Sequence, residues 1–262
     1  MKSLARHRRG LLPASLANLV FLYAPIVVLI VFSFNAARLP TAWEGFSLQW
    51  YVLLVRDHAL AAALQNSVLI AAVSTVLATL LGVSAAVGLE RLPWRRRVWL
   101  EGALLLPLVI PEVMMGVALL LLFVLVKMPL GLLTVTIGHA AFNVPVVLVI
   151  VRSRLRKLDP QLEEAARDLG ATPWRAFRRV TLPLLRPAIV GAALLAFTVS
   201  LDDFVVTFFT AGPGATTLPL KVYSMIKTGI SPEINALSTI LVLASMGLVG
   251  LSLLFQRKRV HA

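Results

Sequence analysis

The sequence predicts an all-α membrane protein with six transmembrane helices. The first observation is composition: 59% of the 262 residues are hydrophobic and the mean hydropathy is +0.88, both far above what a soluble domain of this length requires. The second is a set of six long segments with almost no charged residues, each longer than the ~20 residues that an α-helix needs to cross a bilayer. The third is that the positive charge is concentrated in the loops between these segments.

The six predicted helices span approximately residues 16–35, 66–88, 102–126, 131–151, 188–210 and 235–256. Pro107 and Pro111 lie one turn apart in the third segment and predict a kink close to Glu112. The basic N-terminus and the apolar run after it have the order of a secretory signal, but the run is long and no small-residue cleavage site follows, so we interpret it as the first span. We expect residues 1–262 to form a single transmembrane domain with a core at about 62–256.

The distribution of Lys and Arg predicts the orientation. Most of the 25 Lys and Arg residues lie at the two termini, near residues 91–97, or in the loop 152–187. The remainder, on the opposite side, are Arg38, Arg56, Lys127, Lys221 and Lys227. Positively charged loops stay on the cytoplasmic side, so both termini and the loop 152–187 are predicted to be cytoplasmic. The net charge of +13 is then a topological signal and gives no reason to expect a nucleic-acid partner.

The loop 152–187 has the pattern of two short helices. Asp159 is suited to cap the first helix, and Gly170 is placed to end it in the left-handed conformation. Thr172 is suited to cap the second helix, which we expect Pro183 to stop. A charged but helix-forming loop between membrane spans is typical of a docking segment for a soluble partner.

This loop resembles the EAA loop of ABC importer permeases. The family motif runs Glu-Ala-Ala, three residues, Gly, nine residues, Ile, one residue, Leu-Pro, and Val180 stands here where Ile is usual. The resemblance implies a type I ABC importer permease fold and a loop that docks on an ATPase subunit. The residues that would carry this coupling are Glu164, Ala165, Ala166, Gly170, Leu182 and Pro183.

The chain itself is not predicted to be an enzyme. It contains no GxxxxGK[ST] phosphate loop, so ATP and Mg²⁺ would be used by a separate ATPase subunit and no cofactor would be bound by this chain. With no cysteine and no cluster of metal-ligating residues in the sequence, we expect neither disulfides nor a metal site.

Three carboxylates fall within the predicted spans, where each would cost at least ~2.5–3.5 kcal/mol at the helix centre. They are Glu112, Asp202 and Asp203, and Phe204 and Phe208 lie next to the pair. Carboxylates beside aromatic faces suit an organic cation, so these five residues are the predicted substrate path. Since adjacent helical residues point about 100° apart, one aspartate is expected to face the substrate while the other caps or pairs with a neighbouring helix. The alternative is that the acids only hold helices together.

A second resemblance, to a more specific family, implies the substrate class. Residues 195–204, 212–219, 221–224 and 231–237, and earlier 32–35 and 110–113, are similar to spermidine/putrescine-type permeases. The likeness extends from about residue 20 to residue 250. It implies one of two membrane subunits of a polyamine importer in the bacterial inner membrane. The implied partners are a second permease subunit, two ATPase subunits and a periplasmic polyamine-binding protein.

The sequence leaves several alternatives open. Putrescine and spermidine are not distinguished, because the binding protein largely sets that choice. Import of another small solute, such as an amino acid or an opine, is the alternative within the same superfamily. An ion-coupled secondary transporter with the carboxylates as proton sites is the alternative from another class, although the loop 152–187 and the lack of an inverted half-repeat speak against it.

Overall fold

A computed structural model describes residues 2–37, 42–229, 232–244 and 246. Within these residues the protein is built from helices, and the only strand-like pairing is an isolated antiparallel bridge between Asn35 and Phe46. A π-helical turn, Phe177–Thr181, joins α8 to α9. The helices are α1 (Lys2–Phe32), α2 (Gln49–Arg56), α3 (His58–Glu90), α4 (Trp94–Val109), α5 (Glu112–Leu125), α6 (Leu132–Leu155), α7 (Gln161–Asp168), α8 (Pro173–Ala176), α9 (Leu182–Asp202), α10 (Val205–Thr210), α11 (Leu218–Thr228) and α12 (Pro232–Ala244).

The all-helical membrane fold is confirmed, whereas the count of six spans is not matched one for one. Four helical segments of the described chain are long and apolar enough to cross a membrane: Ser15–Phe32, His58–Glu90, Leu132–Leu155 and Pro173–Asp202. A fifth span exists if the bent pair α4 and α5 is counted as one. The helix α12 is shorter, and the predicted span 235–256 extends beyond the described residues.

The kink predicted near Glu112 is confirmed and is sharper than a simple bend. Helix α4 ends at Val109, Pro111 lies between the helices, and the axes of α4 and α5 differ by 107°. The proline has no N–H for the helical ladder, and its ring disfavours helical geometry at the preceding residue, Ile110, which is extended with ψ 132°. The predicted span 102–126 is therefore two helices with Glu112 at the start of the second.

The predicted span 188–210 also differs from the structure. Pro183 does not stop the helix, because it occupies the first turn of α9. The backbone hydrogen bonds just before it follow the π-helical pattern, in which Leu182 N–H donates to Phe177 O. The helix is therefore continuous from Pro173 to Asp202, and we call this segment the rod. The rod then ends where Asp203 turns extended, with ψ 126°, and α10 follows as a separate short helix.

The chain divides into two compact units, of which residues 62–221 form the larger. Its buried core lies between α3, α6 and α9 and is made largely of small and β-branched side chains. At Gly82 on α3 an added Cβ would lie 2.7 Å from Val147 Cβ on α6, so glycine permits this close helix packing. The buried core residues are Ala78, Ala86, Leu89, Val147, Leu148, Val151, Leu185, Ala192 and Ala196.

The smaller unit comprises residues 1–61 and 222–262, of which the structure describes part. It contains a polar corner after α1, organised by Asn35, whose side chain accepts from Glu44 N–H at 2.9 Å and donates to Ala42 O at 2.6 Å. Trp50 Nε1 donates to Asn35 O at 2.7 Å. One buried amide side chain thus closes the connection between α1 and α2.

Candidate functional site

The interruption between α9 and α10 is surrounded by five buried or half-buried polar side chains, which we call the polar cluster. They come from four helices of the larger unit and the residue that links two of them. The members are Ser74 on α3, His139 on α6, Ser200 on α9, Asp203 at the interruption and Thr207 on α10.

Asp203 organises the start of α10. Its carboxylate accepts from Thr207 N–H at 2.9 Å, Val206 N–H at 3.3 Å and Thr207 Oγ1–H at 2.9 Å. These bonds satisfy backbone donors that a helix start leaves unpaired, so Asp203 acts as a cap. His139 Nε2 lies 3.1 Å from Asp203 Oδ2, and the two side chains are only 1% and 7% exposed.

His139 joins Asp203 to the rest of the cluster. Its Nε2 also lies 2.9 Å from Thr207 Oγ1, and its Nδ1 lies 2.6 Å from Ser200 Oγ. Ser200 Oγ is in turn 3.0 Å from Ser74 Oγ. Both ring nitrogens of His139 therefore have hydrogen-bond partners, and one chain of hydrogen bonds connects α3, α6, α9 and α10.

The two neighbouring aspartates differ in exposure and in contacts. Asp202 is the last residue of α9 and is exposed, and within the described chain its carboxylate makes no hydrogen bond or ion pair. Phe204 is half-buried, with its ring centroid 5.6 Å from that of the exposed Phe208. Asp203 caps α10 and pairs with His139 of a neighbouring helix, which is the role expected for one of the two aspartates. A substrate role for either remains a prediction.

Glu112 lies at the other interruption, as the exposed first residue of α5, and no ion pair joins it to the other described residues. The helices that follow the two interruptions, α5 and α10, pack on each other. Gly116 on α5 faces Phe209 on α10, so closely that an added Cβ would lie 2.6 Å from the ring. The structure therefore packs the helix that begins with Glu112 against the helix that follows the two aspartates, without a direct bond between the carboxylates of Glu112 and Asp202.

The predicted coupling loop forms the helices that its caps indicate. Asp159 Oδ1 accepts from Gln161 N–H at 3.0 Å before α7, Gly170 follows α7 with φ +84°, and Thr172 Oγ1 accepts from Arg175 N–H at 3.3 Å. Glu163 Oε2 accepts from Thr181 Oγ1–H at 3.0 Å, which ties α7 to the π-helical turn.

The motif residues differ in exposure. Glu164 and Ala165 are exposed, Ala166 is half-buried, and Leu182 and Pro183 are half-buried in the rod that follows. The apolar side chains next to the motif are also exposed: Leu162, Leu169 and Trp174. This segment therefore exposes large apolar side chains among its charged ones outside the predicted spans, as interaction sites do.

A cluster of charged residues, which we call the charged cluster, lies where α3, α4 and α6 come together near α7. Arg152 is 5% exposed, its Nε donates to Glu90 Oε1 at 2.6 Å, and its Nη1 pairs with Glu101. Arg156 Nε and Arg97 Nη1 also contact Glu90, at 2.9 and 3.4 Å. Sequence reasoning did not find this cluster, because its members are far apart in the chain.

A cavity of about 470 Å³ connects the charged cluster to α7 and the π-helical turn, which belong to the predicted coupling loop 152–187; we call this loop the coupling segment. Its walls include Glu90 and Arg156 on one side and Asp159, Glu163 and Thr181 on the other. Helix α7 is therefore not packed flat against the bundle. Among the described residues, no group of three or more His, Cys, Asp or Glu side chains is arranged to hold a metal ion.

Comparison with known proteins decides the family. Residues 78–259 match the model of the family described as "Binding-protein-dependent transport system inner membrane component". The chain belongs to this family. The permease is 46% identical over 242 residues to the putrescine transport system permease protein PotI of Escherichia coli (strain K12), covering 90% of the permease and 86% of PotI. It is 42% identical over 239 residues to the spermidine/putrescine transport system permease protein PotC of the same strain, with 91% and 90% covered.

Solved structures share the fold of the permease. A bacterial ABC transporter for the acidic polysaccharide alginate aligns with a TM-score of 0.70 and 17% identity over 97% of both chains. The methionine transporter MetNI, in an inward-facing conformation, aligns with a TM-score of 0.60 and 20% identity over 78% of the permease and 94% of that chain. At these identities the likeness establishes the fold of ABC importer permeases and no more.

Proposed function

We propose that this permease forms half of the translocation path of an ATP-driven importer of polyamines. The observation that carries the proposal is the 46% and 42% identity to permeases of putrescine and spermidine/putrescine transport over nine-tenths of the chain. The protein would act as a single transmembrane domain that alternates between outward-facing and inward-facing states.

Asp202, together with the aromatic rings beside it, would contact the substrate. A polyamine carries two or more positive charges at neutral pH and loses water on entering the path, and a fixed carboxylate replaces part of that hydration. Asp202 is exposed at the C-terminal end of α9, where the helix dipole is also negative. Phe204 and Phe208 would add ring faces, and Glu112 would add a second carboxylate from α5.

The coupling segment would dock on the ATPase subunit. Glu164, Ala165, Ala166 and Gly170 would meet a groove on that subunit, and Leu182 and Pro183 would carry its motion into α9. The exposed apolar side chains of α7 and α8 support a protein partner at this surface. By the positive-inside rule, this segment and both termini would lie in the bacterial cytoplasm, with the permease in the inner membrane.

The complete importer would contain this permease, a second permease subunit, two ATPase subunits and a periplasmic binding protein for polyamines. ATP and Mg²⁺ would be used by the ATPase subunits, and no cofactor would be bound by this chain. A heterodimer with a different permease is the expected arrangement.

The test is uptake of labelled putrescine and spermidine by proteoliposomes. We expect uptake with the full assembly, binding protein and internal ATP, and none with the two permeases alone under a proton gradient. Accumulation by the permeases alone would favour the secondary transporter. ATP-dependent uptake of amino acids but not of polyamines would refute the proposed substrate class.

Neutralising the exposed aspartate tests the substrate path. Asp202→Asn removes one charge-assisted contact worth about 1.5–3 kcal/mol, so polyamine uptake should fall at least tenfold. Basal ATP hydrolysis of the assembled importer is the control and should persist. Loss of both activities together with poor assembly would show that Asp202 is structural.

A further inference from the structure

The α9–α10 interruption contains neither glycine nor proline, so another feature must define it. The residues at this point are Asp202, Asp203 and Phe204, and apolar residues follow. Two consecutive aspartates followed by β-branched residues weaken the helix here, but they do not fix the direction of the chain after the break. The hydrogen bonds of Asp203 within the polar cluster supply that direction.

Asp203 is poorly placed to bind a substrate cation. Its Oδ2 accepts from the amide and hydroxyl of Thr207 and lies 3.1 Å from His139 Nε2, and its Oδ1 accepts from the Val206 amide. The Asp203 side chain is 7% exposed, whereas Asp202 is exposed one residue earlier.

His139 holds Asp203 in this arrangement from a different helix. The Thr207 hydroxyl donates to Asp203 Oδ2, so its oxygen can accept from the His139 Nε2 proton, which is also directed at the carboxylate. Nδ1 bonds to Ser200, which lies one turn before the interruption on α9. One imidazole therefore fixes both sides of the interruption, Ser200 before it and Asp203 after it.

We propose that His139 is a positioning residue that, through Asp203 and Ser200, fixes the α9–α10 interruption in the geometry that exposes Asp202 to the transported cation. The proposal rests on the proposed function for the identity of the cation. It assigns a single recognition charge to this interruption, that of Asp202, and a structural role to Asp203.

The first experiment measures KM and maximal rate of polyamine uptake by the full importer. We expect His139→Phe and Asp203→Leu to raise KM at least tenfold while assembly and basal ATP hydrolysis change less than twofold. Asp203→Asn should lie much closer to wild type than Asp203→Leu, because an amide oxygen in the position of Oδ2 still accepts from the Thr207 amide and from His139 Nε2, and only the 3.3 Å bond from the Val206 amide is lost.

The chain offers a matched pair of threonines as a control. Thr207 and Thr136 are both buried, but among the described residues the Thr136 hydroxyl bonds only to Leu132 O of its own helix. Thr207→Val should raise KM, and Thr136→Val should not. Equal effects of the two changes would overturn the proposal, as would a wild-type KM for His139→Phe, or equal losses for Asp203→Asn and Asp203→Leu.

The second experiment does not depend on the substrate. The natural chain has no cysteine, so Leu194→Cys and Thr216→Cys can carry spin labels on either side of the interruption. Both positions are exposed. We expect one narrow distance distribution in the otherwise unchanged permease and in the Thr136→Val variant, and a shifted or broadened one in the His139→Phe variant. An unchanged distribution with His139→Phe would refute the positioning role even if polyamines prove not to be the substrate.

Discussion

Replacing Arg152 with glutamine tests the charged cluster. Removing one partner of a fully buried ion pair costs about 3–5 kcal/mol, because the other charge remains without compensation. Here the Glu90 and Glu101 side chains are 25% and 30% exposed, and Glu90 keeps Arg156 and Arg97. Most of the destabilisation therefore comes from the Glu101 carboxylate, which loses its arginine partner. We expect Arg152→Gln to lower the free energy of unfolding by about 2–3 kcal/mol.

The measurement is unfolding of the purified permease in mixed detergent micelles, followed by loss of helical signal as denaturing detergent is added. The matched control is Arg154→Gln, which makes the same chemical change two residues away at an exposed position with no ion pair among the described residues. Arg154→Gln should lie within about 0.5 kcal/mol of wild type. A stability of Arg152→Gln equal to that of the control would refute the reasoning. Glu101→Gln in the Arg152→Gln background should recover part of the loss.

Two further predictions concern glycines. Gly116→Val should destabilise the permease by about 1–3 kcal/mol, because the added Cβ would meet Phe209. The control in the same unfolding measurement is Gly102→Val, since an added Cβ there has nothing within 4 Å. Gly170→Val should reduce uptake at least tenfold while membrane insertion is retained, since φ +84° costs a β-branched residue about 1–2 kcal/mol and the end of α7 would shift. Gly170→Asn should restore most of the uptake, because asparagine tolerates this conformation, and equal losses for both changes would contradict the explanation.

Local features of the coupling loop could be predicted because their causes lie within a few residues. Thr172 caps α8 and Gly170 adopts the left-handed conformation, as the sequence indicates. The effect of Pro183 was predicted wrongly, because proline is tolerated in the first turn of a helix and the π-helical turn accommodates it. The sequence carries no reliable sign of such a turn.

The pairing of His139 with Asp203 could not be predicted from spacing, since it joins residues on separate helices. Part of the signal was present: a buried acid in a membrane span needs a partner, and His139 is the one histidine within the predicted spans. Asp203 also lies three residues before Val206, which is the spacing of a capping side chain and the amide it accepts from. The contact of Glu90 with Arg152 depends entirely on how α3 and α6 pack, so no local sequence pattern predicts it.

The unbroken rod from Pro173 to Asp202 has a mechanical consequence. Its 30 residues extend about 45 Å, with the coupling segment at one end and the exposed carboxylate at the other. A tilt of about 5° at one end displaces the other by about 4 Å over that length. The π-helical turn near its start adds one residue to a helical turn, and one residue corresponds to about 100° of rotation. That turn therefore sets the direction in which Asp202 points relative to α7, and any insertion or deletion along the rod would change it.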